Sequence, residues 1–88
     1  MSMVAELSDR KLRVVGSKQV LRYAAEAVLK KVYIAKDADE ALTERLRAAC
    51  EAHGIAVDMT HTMQQIGSAC HIDVGSACAA VKKRRTVE

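Results

Sequence analysis

Short apolar runs of strand length alternate along this chain with stretches in which apolar residues recur every three or four positions. This alternation predicts an α/β domain with helices on both faces of a central sheet. Residues 3–10 read as a short helix, with Ala5 and Leu7 apolar and Glu6, Ser8 and Asp9 polar. Residues 12–15 read as a strand that Gly16 breaks, with Ser17 as the N-cap of a helix running to about Leu29. The core stripe of that helix is Leu21, Ala24, Ala25 and Val28, and Tyr23 lies off it. Residues 32–35 are continuously apolar, as expected of a strand covered on both faces. Asp37 with Glu40 forms a variant capping box for a helix to about His53, with Leu42, Leu46, Ala49, Cys50 and His53 facing inward and Gly54 as its stop. Residues 55–59 make a third strand. Thr62 with Gln65 starts another helix, whose apolar side is Met63, Ile66 and Cys70. After a loop at His71, Ile72 and Asp73, the small-residue segment 74–81 reads as a strand that other elements can approach closely. Residues 1–82 thus form one domain, and 83–88 a basic tail expected to be disordered.

Composition narrows the packing. Half of the 88 residues are hydrophobic, but Phe and Trp are absent, so elements must close around small side chains. No apolar run is long enough to cross a bilayer, and no signal-peptide pattern opens the chain. Three irregularly spaced cysteines argue against a disulfide framework and for a reducing, cytoplasmic setting, with no membrane partner.

Charge is distributed unevenly. Residues 10–36 hold eight Lys/Arg, including Lys18, Arg22 and Lys36, against the single acid Glu26. Residues 37–81 hold Arg45 and Arg47 against seven acids, and residues 82–85 add four cations. A chain with one basic side carries the electrostatic mark of a nucleic-acid binder, although solvated helix faces can cluster charge in the same way.

The segment Gly16-Ser17-Lys18-Gln19-Val20-Leu21-Arg22 is the first candidate site. A helix start leaves backbone N–H groups unpaired and partly positive, which suits a phosphate. Lys18, Gln19 and Arg22 share one flank at i, i+3 and i+4 spacing, and together offer two cations and an amide able to read a base edge. The plainer alternative is an ordinary strand-to-helix connection with Arg22 paired to Glu26. The second candidate is the segment 66–75, where a helix end, apolar Ile72 and Val74 and a glycine could form a loop that packs against an extruded base; composition alone favours the plainer alternative, a helix-to-strand loop whose Ile72 tucks into the core. Cys50 with His53 and Cys70 with His71 lack the paired-cysteine spacing of a structural zinc site, so no metal or other cofactor is expected, and the cysteines read as small apolar fillers. No P-loop, G-x-S-x-G or Rossmann glycine pattern is present, so the chain reads as a non-enzyme without a small-molecule substrate. Tyr23 and Tyr33 are its only aromatics, too few for a base-stacking platform; recognition of a folded RNA by a basic helix start fits better.

The segments GSKQVLR (16–22), VYIAKDAD (32–39) and IGSACHIDVGSACAAV (66–81) resemble, in order and spacing, the kink-turn-binding ribosomal protein L7Ae/L30e family, and its small bacterial members most. The resemblance spans about residues 10–82. It implies a three-layer α/β/α sandwich with a central mixed sheet of about four strands. It also implies binding of kink-turn RNA, an internal loop with tandem G·A pairs, in a ribosomal or leader RNA; apart from the resemblance, a monomer is expected. By the resemblance, Gly16, Ser17, Lys18 and Gln19 contact guanine edges and adjoining phosphates, Arg22 binds phosphate, and His71, Ile72, Asp73 and Val74 pack near a flipped-out nucleotide. Lys36 is counted with these RNA-binding residues. The family pattern is commonly G-x-N-E-x-x-K; here Lys18 replaces Asn, Gln19 replaces Glu and Arg22 replaces Lys, and His71 stands where glycine is frequent. Affinity should therefore lean on phosphate charge and fall with salt. A protein-interaction domain of the same fold that has lost RNA binding is the competing expectation.

Overall fold

A computed structural model describes residues 3–83, the side chain of Val4 excepted. The elements run α1 (Met3–Leu7), β1 (Arg13–Val15), α2 (Ser17–Ala25), β2 (Leu29–Ile34), α3 (Glu40–Ala52), β3 (Ala56–Asp58), α4 (Met63–Ala69) and β4 (Cys78–Lys82). The sheet order is β1-β4-β2-β3. β4 is antiparallel to both β1 and β2, and β2 is parallel to β3, so the sheet is mixed. Helices cover both faces, and the expected three-layer sandwich is the observed one.

Period-two alternation sorts the strands between two cores. Val14, Val32, Ile34, Cys78 and Ala80 face α2 and α3, where Val20, Ala24, Leu46 and Cys50 complete one cluster. Tyr33, Ala35, Ala79 and Val81 face α1 and α4 with Leu7, Ile66, Ala69 and Cys70. Cys78, Ala79 and Ala80 are fully buried, so the central strand β4 is thin enough for helices to close on it from both sides.

Several boundaries differ from the sequence reading. α2 stops at Ala25 rather than near Leu29. Ala27 adopts φ +57, and the Val28 N–H reaches back to the Tyr23 carbonyl, a helix stop that usually carries glycine. With alanine there, no glycine marks the end. Leu29 instead opens β2, and the stripe of α2 is Val20 and Ala24, with Leu21 half-buried and Ala25 exposed. The N-cap of α3 is Asp39, whose carboxylate accepts from the Leu42 N–H at 3.1 Å. Asp37 turns instead to α4, accepting from the Met63 N–H at 2.8 Å. His53 is exposed at the C-cap rather than inward. The capping box at Thr62 and Gln65 is formed as expected. β4 begins only at Cys78; residues 74–77 belong to the preceding loop, held there by the packing described below. Lys83 donates its N–H to the Val28 carbonyl, and the remaining tail residues, 84–88, lie outside the described residues.

Candidate nucleic-acid interface

β1 delivers the chain into α2 through Gly16, which is itself the N-cap, in place of the expected Ser17. Its φ of +97° is disfavoured for any side-chain-bearing residue. A Cβ built there would meet no atom within 4 Å, so the backbone angle rather than space demands glycine. Glycine also brings no capping side chain, and the helix start has no side-chain cap hydrogen bond. The first N–H groups of α2 are thus without intrahelical partners and partly positive.

The side chains on this turn are available. Lys18 and Gln19 are exposed, and neither side chain makes a hydrogen bond or ion pair with another described residue. Arg22 lies 3.7 Å from Glu26, as the plainer reading anticipated, and its guanidinium sits 5.5 Å from the Tyr23 ring centroid. The two side chains of the pair are 66% and 50% exposed, so it contributes under about 1 kcal/mol and a phosphate can replace the carboxylate. Lys18, Arg22 and Arg45 line one open cleft of about 540 Å³ between α2 and α3. Arg45 was not among the expected site residues, because it lies in the acidic part of the sequence. Its place on the polar face of α3 was legible, but what that face looked onto was not.

The second loop is built differently. A Cβ on Gly67 would lie 2.2 Å from the Val74 carbonyl oxygen, so the loop lies directly on α4 at this glycine. The Ser76 N–H donates to the Met63 carbonyl at 3.0 Å, and the Ile72 N–H to the Gly67 carbonyl at 3.1 Å. Ile72 tucks against the α1/α4 core. His71 adopts φ +61 and its Nε2 lies 3.4 Å from Ser8 Oγ, so its ring is turned toward α1. Asp73 is exposed, and Val74 is 70% exposed.

One carbonyl joins the two loops. The Cys78 oxygen accepts the Gly16 N–H at 3.3 Å and the buried Ser76 hydroxyl at 2.6 Å. At the same end of the sheet, the Ala35 N–H donates to Ala77 at 2.8 Å and the Lys36 N–H to His61 at 2.9 Å. Antiparallel pairing of β4 with β1 and β2 thus gathers the Gly16 turn, exposed Lys36 and the 71–77 loop at one edge. Ser76 went unnoticed in the sequence because a lone serine in a small-residue run gives no signal. The cysteines are free and buried. Burial, with the Cys50 thiol adding, pushes the Cys78 thiol up to about 12; burial also raises Cys50 and Cys70. They are neutral packing groups rather than nucleophiles.

Residues 2–88 match the model of the Ribosomal protein L7Ae/L30e/S12e/Gadd45 family. The chain belongs to this family. It is similar to "RNA-binding protein TTE2299" of Caldanaerobacter subterraneus subsp. tengcongensis, 46% identical over 68 residues that cover 77% of this chain and 83% of that one. It is also similar to "RNA-binding protein YbxF" of Geobacillus stearothermophilus, 35% identical over the same shares of each chain. Among solved structures, the Giardia lamblia 15.5kD RNA binding protein superposes with a TM-score of 0.83 at 24% identity, covering 93% of this chain and 69% of that one. That likeness carries the L7Ae-type fold alone. No helix among the described residues is long and apolar enough to cross a membrane.

Proposed function

We propose that this chain is a non-enzymatic RNA-binding protein that recognises kink-turn RNA, works as a monomer in the cytoplasm, and is ribosomal or ribosome-associated. The observation that carries the reading is the joint anchoring of the Gly16 turn and the 71–77 loop on the Cys78 carbonyl, with Lys18 and Gln19 free beside an uncapped helix start. Family membership and the names of the relatives support RNA as the ligand. In this reading the open N–H groups of Ser17, Lys18 and Gln19 and the charges of Lys18 and Arg22 take phosphates. Gln19 donates and accepts at a base edge in the G·A pairs. Asp73 and Val74 flank a flipped-out nucleotide, Ile72 supports the loop from below, and Lys36 adds charge at the rim. His71 contributes through its backbone turn.

The test is titration with a kink-turn RNA against the same RNA whose G·A pairs are replaced by Watson–Crick pairs. Clear preference for the first is expected; equal affinity overturns the reading. Gln19→Ala should cost about 1–3 kcal/mol of that preference, whereas Arg22→Ala should weaken both RNAs alike and lower the salt slope by about one.

A further inference from the structure

The described basic residues do not end at the Gly16 edge. Lys18 and Arg22 share the α2/α3 cleft, and Arg22 sits on the Tyr23 ring. The Lys82 ammonium lies 5.2 Å from the centroid of the same ring. Beyond it, Lys11, Lys82 and Lys83 line a cleft of about 640 Å³ whose one carboxylate is Glu26. That cleft lies at the opposite end of β4 from Cys78, where the Lys82 N–H bonds Leu12 and the Lys83 N–H bonds Val28. The two ends are separated by the nine residues of α2, roughly 13 Å.

Cations held over an aromatic ring keep their charge while losing part of their freedom. Tyr23 therefore acts as a positioning residue, joining Arg22 to Lys82, which lies sixty positions further along the chain. We propose that Lys18, Arg22, Lys82, Lys11 and Lys83 form one continuous cation track, bridged by the Tyr23 ring, that binds the phosphate backbone of an RNA arm leaving the Gly16 edge. The choice of RNA as occupant rests on the function proposed above; charge complementarity selects a polyanion, and the track is contiguous with that edge. Glu26 is its built-in counter-charge, competing with phosphate for Arg22.

The experiment uses the full chain and kink-turn RNAs with each flanking arm short or long. A Lys11→Gln/Lys82→Gln/Lys83→Gln variant should bind the short-armed RNA as the natural chain does. It should bind one long-armed RNA about fivefold or more weakly, with a salt slope smaller by about two to three. Tyr23→Leu, which removes the ring but no charge, should lose part of the same gain, and Glu26→Gln should raise long-arm affinity. Equal affinities and slopes for the triple variant and the natural chain on every arm overturn the track. If the natural chain ignores the G·A pairs, the proposed function falls. The track is then judged on a plain RNA duplex: unequal slopes retain it and equal slopes remove it.

Discussion

The two faces of the sheet are held by different means. On one, α2 and α3 bury Val20, Ala24, Leu46 and Cys50 against Val32, Ile34 and Ala80, an apolar cluster tied by area. On the other, α1 and α4 are only five and seven residues long. Helices so short are not stable on propensity alone, and polar contacts pin them. The Tyr33 hydroxyl bonds the Glu6 carboxylate, Arg13 reaches the Leu7 carbonyl at 3.2 Å, and Asp37 caps Met63. At Gly67 the Val74 backbone also lies directly on α4, with no room for a side chain between them. The lesson is a division of labour: the apolar face presents the open helix start, while the pinned face holds the second loop rigidly beside it.

Breaking the apolar face should cost most. Leu46 is 1% exposed, so Leu46→Ala should lower stability by about 3 kcal/mol through a cavity, read as a reduced denaturation midpoint in urea. On the pinned face, Gly67→Ala drives a methyl into the Val74 carbonyl, and the loop must lift; about 2 kcal/mol should go. Amide exchange should then quicken at Ile72 and Ser76, whose N–H groups bond α4, more than in α2.

Tyr33→Phe should cost about 1–2 kcal/mol at neutral pH by removing a donor to a carboxylate. The effect is pH-dependent. The Tyr33 hydroxyl first, and then Lys30 against opposing desolvation, hold the Glu6 carboxyl below its ordinary value of 4.5. Because the folded-state value lies below the unfolded one, the contribution is complete above 4.5 and is lost as pH falls through the depressed value. Urea midpoints measured across that acidic window should converge for the natural chain and the variant; parallel curves would contradict the assignment. Gly16→Ala should cost about 1–3 kcal/mol through its positive φ alone, since no atom is met. Amide exchange at Ile72 and Ser76 that quickens as much in Gly16→Ala as in Gly67→Ala would contradict the contrast drawn between the two loops.

Local patterning determined much of this molecule by itself. The alternation of apolar runs announced the layers, the Thr62–Gln65 box announced α4, and glycine before Ser17 announced the turn, because each is a short-range preference written in adjacent residues. The resemblance in residues 66–81 pointed to the family. Tertiary structure alone decided which carbonyl ties the Gly16 turn to Ser76, that Asp37 caps α4 while Asp39 caps α3, and that Arg45 faces Lys18 across a cleft. It also decided that Tyr23 gathers Arg22 and Lys82. Apart from the local Asp39 cap and the adjacent Arg22, these pairings join residues far apart in sequence, and strand order and helix docking, which no local period encodes, bring them together.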